Sequence, residues 1–212
     1  MQVLLIAPAQ TLFPIPEEAI LRRENILRSE LPAACPEAAC IIDLTGNTAA
    51  YPPAYKENRN CPVFIAEVTG TRDGWPDHFI RFNGWPGFLD RPLWEACCPD
   101  EAIRKKAEEL AACFGRKLEW VPDIPGFLTA RVLACIINEA YFALEEKVSG
   151  KKETDTAMQL GTNYPMGPFA WCEKIGRARV FKLLQAMAVT EKRYTPCTLL
   201  EKEAIHGPDS EY

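Results

Sequence analysis

Nine cysteines and two histidines are the side chains of this chain best equipped for nucleophilic, redox or metal chemistry. The cysteines are Cys35, Cys40, Cys61, Cys97, Cys98, Cys113, Cys135, Cys172 and Cys197. An odd number, no C-x-x-C spacing and the adjacent Cys97–Cys98 pair suit neither a disulfide framework nor a metal clip. His78 and His206 are too few to complete a zinc site, so no metal is expected. The thiols read instead as small buried hydrophobes of a reducing, cytoplasmic protein. Trp75, Trp85, Trp94, Trp120 and Trp171 could line a pocket, but large aromatics more often fill a core. Phosphate-cradling chemistry needs glycine, and none of the 12 glycines falls before Gly46.

Composition narrows the classes further. The chain has 212 residues, 24 Lys+Arg against 29 Asp+Glu, a net charge of −5 and 48% hydrophobic residues. So apolar a chain is not disordered. An acidic balance with short, scattered basic clusters opposes a nucleic-acid partner. No membrane span is expected, because the most apolar stretch, 127–144, contains Arg131, Asn138 and Glu139. The start MQVLLIAPAQ lacks the basic region and apolar length of a secretory leader.

The elements that position these residues fall into two halves. Buried strands are expected at 2–7, 40–44, 63–68, 79–82 and 117–121, with a helix at 17–29 and another from an Asp100 cap to near Phe114, stopped by Gly115. Strands alternating with helices imply an α/β layer with a parallel sheet. Beyond Pro125–Gly126 the pattern becomes helical. A long helix at 127–147 is apolar nearly all round, so it is buried in the domain or in a subunit contact. Helices at 154–160 and 169–188 follow, then a polar tail from Thr195 with a frayed end. Pro168 suits a first helical turn and Gly167 a tight approach. The expected division is 1–122 and 123–212.

Several segments carry a resemblance. DIPGFLTARVL (123–133) resembles the D-x-P-G-F-x-x-N-R-x-L stretch of the 3-hydroxyacyl-CoA dehydrogenase family. TDTAMQLGTNYPMGPFAWCEKIG (154–176) is similar to that family's D-x-A-x-x-x-G…P-M-G-P-F…D-x-x-G stretch, and residues 81–123 resemble its H-F-F-N-P…L-V-E-V segment. GNTAAY (46–51) is a looser likeness of S-N-T-S-S-L. The similarity is good over 81–187, thin over 46–80 and nearly absent before. It implies a fold of α/β plus all-α type, with a truncated Rossmann-like domain at 1–122 and an all-helical dimerisation domain at 123–212.

The same resemblance implies a chemistry, carried over residue by residue. The family's NAD site begins with a glycine-rich loop after the first strand. Here that place reads APAQTL (7–12), with Cβ atoms on Ala7 and Ala9 and no N–H on Pro8. Asp43 could stand for the ribose-binding acid, or simply cap its strand. Five strands, against six in a full Rossmann half, imply that one βαβ unit is missing.

The family's catalytic His falls at Ile80. His78, two residues earlier on the same strand face, could replace it. The family's Glu is Glu95. Its substrate Asn is Ala130 and its Ser is Ala49, whereas Asn47, Thr48, Asn83, Arg131 and Met166 are kept as substrate-binding candidates.

Two functions follow. In one, the protein has lost NAD binding and the usual catalytic set. It acts as a homodimeric binding or interaction module, joined through the C-terminal helices and holding a small acyl or apolar ligand. In the other, His78 as base and Glu95 as its orienting acid make it an active enzyme on an acyl-CoA or hydroxy-acid substrate, with NAD bound only if the degenerate site still holds it.

Overall fold

The computed structural model describes residues 2–15, 17, 19, 25–32, 37–46, 55 and 59–206. The chain divides into two compact units, residues 1–127 and 128–212.

Unit 1 is built on seven strands: β1 (Val3–Ile6), β2 (Ile26–Ser29), β3 (Cys40–Asp43), β4 (Val63–Ile65), β5 (Phe79–Phe82), β6 (Leu93–Cys97) and β7 (Lys117–Trp120). They form one sheet in the order β2-β1-β3-β4-β5-β6-β7. The first five are mutually parallel. β6 pairs antiparallel with β5, and β7 runs parallel to β6.

The expected count of five strands is corrected to seven. Residues 26–29 of the expected 17–29 helix are the edge strand β2, since Ile26 to Ser29 lie in register beside Val3 to Ile6. Tertiary pairing overrides a local helical pattern whose apolar spacing fits either element. β6 was not anticipated. Its LWEAC sequence is buried from Trp94 to Cys97 and pairs on both sides. Among the described residues the parallel part, 2-1-3-4-5, has five strands, against six in the Rossmann order.

Alternation along the strands sorts the core. Val3, Leu5, Cys40, Ile42, Phe64, Ile80 and Phe82 pack on one face. Leu4, Ile6, Ile41, Val63, Ile65 and Phe79 pack on the other. Strands covered on both faces read as unbroken apolar runs, which is why these were visible in the sequence. Helix α1 (Glu101–Cys113) closes the first face with Ile103 and Ala107. Asp100 caps it, its Oδ1 accepting from the amides of Ala102 (2.8 Å) and Ile103 (3.1 Å). Gly115, at φ +69°, ends it.

Unit 2 contains α2 (Thr129–Glu145), α3 (Lys151–Thr162), α4 (Pro168–Ile175), α5 (Arg177–Ala188), a 3-10 turn (Lys192–Tyr194) and α6 (Thr198–His206). The expected helix at 169–188 is two, because Gly176 at φ +101° breaks it. The expected frayed tail carries α6, which buries Leu200 and Ala204. Gly167 is required where it stands: a Cβ there would lie 2.3 Å from the Asp155 carboxylate, which caps α4 through the amides of Phe169 (2.8 Å) and Ala170 (3.0 Å).

Residues 123–127 belong with unit 1, a little past the expected boundary at 122. Asp123 pairs with Arg81 (3.0 Å), the Gly126 amide donates to the Val68 carbonyl (2.7 Å), and the Phe127 ring lies 4.0 Å from the Arg81 guanidinium. Among the described residues no helix is long and apolar enough to cross a membrane, and no group of three or more His, Cys, Asp or Glu side chains is placed to hold a metal.

Candidate functional site

In open α/β sheets, ligands bind beyond the carboxyl ends of the parallel strands, at the point where strand order reverses. Here that point lies between β1 and β3. The chain leaving β1 there is Ala7 to Thr11. Pro8 has no N–H, the Thr11 amide donates to the Pro8 carbonyl (2.9 Å), and the Ala9 amide donates to the Glu30 carboxylate (3.1 Å). The Ala7 amide is held by the Ser29 carbonyl of β2 (3.0 Å). The amides of Ala7, Ala9 and Thr11 are thus each bonded within the protein.

The same edge carries three more carboxylates. Asp43, fully buried at the end of β3, accepts from the Thr45 amide (2.7 Å) and hydroxyl (2.6 Å) through Oδ1. Glu67, just past β4, accepts through Oε1 from the Thr69 amide (2.6 Å), the Thr69 hydroxyl (2.7 Å) and the Gly70 amide (2.8 Å). Glu95 of β6 stands opposite Asn83, whose Nδ2 donates to its Oε2 (3.2 Å) and whose amide donates to its carbonyl (3.0 Å).

The ribose-acid assignment moves. Asp43 ends the third strand, not the second, and caps it through Thr45. The acid at the end of β2 is Glu30, 21 residues after Ala9. The usual interval of about 20 residues between glycine loop and acid would have pointed to Glu30 had 26–29 been read as a strand.

His78 and Glu95 are not brought together, which corrects the pairing expected of them. His78 precedes β5, and Glu95 faces Asn83 past its other end. Five residues of strand, about 16 Å, separate the two ends. His78 is buried at 3% exposure and meets Phe79 edge to face. Its Nε2 lies 2.7 Å from the Tyr55 carbonyl, which can only accept, so Nε2 carries the proton. General base catalysis needs reach to the transferred proton, and this imidazole is buried with one ring nitrogen on a backbone carbonyl.

The other candidates belong to different units or lie outside the described residues. Asn47 and Thr48 lie outside the described residues. Asn83 is buried at 2% exposure on the sheet edge. Arg131 is on α2 in unit 2, and Met166 is half-buried in the loop before α4. The tryptophans Trp94 and Trp85 are buried at 1% and 6% exposure, and Trp94 packs against Phe13, Phe82 and Phe114.

Two polar hubs escaped the sequence reading. In unit 1 the fully buried Arg81 bonds the carbonyls of Gly70 and Ile124 and pairs with Asp123. Burial pulls its pKa down, against the raising effect of Asp123. In unit 2 Glu203 accepts from the Tyr141 hydroxyl (2.7 Å) and Lys151 Nζ (2.7 Å), with Arg177 Nε at 3.5 Å. Burial works to raise its pKa, but the bonds from Lys151 and Tyr141 prevail and hold the carboxyl below the usual range. The Cys172 thiol is pushed up to about 12, chiefly by burial, and so is not a thiolate nucleophile at neutral pH. No local motif marks either hub, because each joins residues far apart in the chain.

Comparison with known proteins agrees with the architecture. Residues 126–208 match the family model described as 3-hydroxyacyl-CoA dehydrogenase, C-terminal domain. The chain is 42% identical over 109 residues to the 3-hydroxyadipyl-CoA dehydrogenase of Escherichia coli, an alignment covering 50% of this chain and 23% of that protein. It is 33% identical over 161 residues to the 3-hydroxybutyryl-CoA dehydrogenase of Bradyrhizobium diazoefficiens, covering 74% of this chain and 55% of that one. The chain thus spans from about a quarter to just over half the length of these relatives. The crystal structure of (S)-3-hydroxybutyryl-CoA dehydrogenase from Ralstonia eutropha shares the fold, with TM-score 0.69 at 22% identity over 84% of this chain and 69% of that chain.

Proposed function

We propose, for a chain that belongs to the 3-hydroxyacyl-CoA dehydrogenase family, that it is a binding module which takes an acyl ligand and does not use NAD. The observation that carries this reading is the carboxyl edge of the sheet. Glu30, Asp43, Glu67 and Glu95 hold the amide, hydroxyl and side-chain amide donors there, and the β1 loop offers no glycine. A dinucleotide pyrophosphate would have to displace these bonds and sit among like charges. The β1 loop fits a pyrophosphate poorly, although Glu30 stands where a ribose-binding acid would. With His78 buried before β5, at the far end from Glu95, the proton acceptor of the enzymatic reading is also absent from the edge.

The ligand class follows from the relatives, which are named for acyl-CoA substrates, and from the helical unit that they match. Self-association through that unit is part of the reading. Leu128 and Val132, one turn apart at the start of α2, are 62% and 51% exposed, and Leu160 of α3 is 83% exposed. Side chains of this kind are costly to leave in water and suit a homodimer contact. The described cysteines, all free, suit a reducing cytoplasm.

The test is a fluorescence titration of the whole chain with NADH, beside a calorimetric titration with butyryl-CoA. Acyl-CoA binding without NADH binding is the expected result. NADH binding at micromolar affinity would overturn the loss of the cofactor site.

A further inference from the structure

Beside the amino ends of β3 and β4, opposite the carboxyl edge, unit 1 carries a groove of about 310 Å³. One wall is α1. Lys106, Glu109, Leu110 and Cys113 are spaced three and four positions apart and so share one helix face. The other wall is Asn60 and Pro62, just before β4. That wall is pinned to the chain entering β3, because the Ile41 amide donates to the Pro62 carbonyl (3.1 Å) and the Cys61 thiol to the Ala38 carbonyl (3.5 Å). Lys106 Nζ reaches across to Asn60, donating to its carbonyl (3.5 Å) and its Oδ1 (3.4 Å). Glu109 is exposed and enters no ion pair among the described residues.

The groove also holds a thiol that water can reach. Of the described cysteines six are buried, and only Cys113 and Cys135 are half-buried. Burial pushes the Cys135 thiol up. Cys113 lines the groove, and behind it lies Cys40, at 0% exposure, in the core cluster against which Cys113 packs. Burial first, then Cys61 and Cys113, push the Cys40 thiol up. A reagent arriving from water therefore meets Cys113 and not Cys40. A space of this size suits a small molecule. An ammonium and a carboxylate on one helix face, an amide across from them and apolar contact from Leu110 and Pro62 match a ligand with both an amino and a carboxylate group. A sulfur in the same groove matches a ligand that carries a disulfide.

We propose that this groove binds a small zwitterionic disulfide, of the cystine or glutathione kind, and that Cys113 is thiolated by it. Lys106 Nζ and Asn60 Nδ2 take the ligand's carboxylate, and Glu109 takes its ammonium. The Cys113 thiolate attacks one sulfur of the bound disulfide. The ligand's S–S bond breaks as a bond from Cys113 Sγ to that sulfur forms. The leaving thiolate takes up the proton that Cys113 gave, so Cys113 is oxidised and half of the ligand is reduced to a thiol. The last turn of α1 gives the sulfur no help from the helix dipole, so the rate rests on the ligand being held. The groove is away from the carboxyl edge, so thiolation can fail while acyl-CoA binding holds.

The experiment incubates the reduced full chain at neutral pH with oxidised glutathione and, separately, with bis(2-hydroxyethyl) disulfide, which has the same S–S bond and no charge. Mass spectrometry of the intact chain and of its peptides follows the adducts with time. Oxidised glutathione is expected to add one glutathionyl group, on Cys113, which dithiothreitol removes and which Cys113→Ser does not form. Lys106→Glu and Glu109→Lys are each expected to slow this adduct about fivefold, the most that one exposed ion pair usually contributes. The neutral disulfide is expected to react at the same rate in both variants. Absence of a Cys113 adduct would overturn the proposal, as would an adduct forming first on Cys135. So would a Cys113 adduct whose rate neither charge variant changes, because the thiol would then be merely accessible. Lys106 and Glu109 are exposed, so their variants decide the matter even if Cys113→Ser does not fold.

Discussion

The two units are locked by polar hubs of opposite design. In unit 1 a buried cation, Arg81, is surrounded by acceptors: the Gly70 and Ile124 carbonyls and the Asp123 carboxylate. In unit 2 a half-buried anion, Glu203, is surrounded by donors from Tyr141, Lys151 and Arg177. In the first the cation itself is sealed from water, at 0% exposure, although its Asp123 partner keeps 31%. The second keeps partial access, with Lys151 and Glu203 side chains at 37% and 27% exposure. Equal numbers of bonds therefore do not mean equal energy. Burial sets the cost of an orphaned partner.

The largest effect expected from this contrast is Arg81→Met. It leaves the buried Gly70 and Ile124 carbonyls without their donor and takes the ion pair from Asp123, which keeps the Arg72 amide, and should cost about 3 kcal/mol, read as a lowered urea midpoint for unit 1. An unchanged midpoint would mean that the hub contributes nothing beyond its packing. Next is Asn138→Ala, which leaves the Thr195 carbonyl and the Cys197 amide without their partner. About 2 kcal/mol should be lost from unit 2, with the unit 1 transition unmoved.

Glu203→Gln should cost less, about 1 kcal/mol, since water screens its pairs. The same carboxyl gives a pH dependence. Its folded pKa lies below the unfolded one, so its contribution is complete above about pH 4.3 and is lost as pH falls below that through the folded pKa. Acid titration of unit 2 helicity should show this loss in the native chain and not in the Gln variant. The smallest change is Val132→Ser, at an exposed site. Stability should stay within about 0.5 kcal/mol, while sedimentation should show weaker self-association. A dimer as tight as before would place the contact elsewhere.

The sheet edge and the sheet interior differ in the same instructive way. The interior of unit 1 follows the family architecture, with two apolar faces and a reversed strand order. The edge, where a dinucleotide would bind, carries the chain's own carboxylates on the available donors. Packing and ligand binding are specified by different residues, so the core by itself does not decide what the edge binds.

Much of the framework could be read in the residues alone. β1, β3, β4 and β5 are short apolar runs because both faces are covered. α1 is announced by Asp100 and closed by Gly115 because helix ends need a side-chain acceptor and a left-handed residue. D-x-P-G-F and P-M-G-P-F carried the helical unit. β2 was misread because ILRS, half exposed at a sheet edge, has no apolar period of its own. β6 is hard to read because Glu95 at the centre of LWEAC interrupts the apolar run that marks a buried strand.

The contacts at the candidate sites are ones that no local pattern encodes. Glu30 reaches Ala9 across 21 positions, and Arg131 reaches Tyr194 across 63. His78 and Glu95, close enough in sequence to suggest a pair, are held at opposite ends of β5 by strand direction and register. Secondary structure follows from which side chains water rejects, a property of each residue and its near neighbours. Which donor meets which acceptor depends on how distant segments are brought into register, and only the packed chain fixes that.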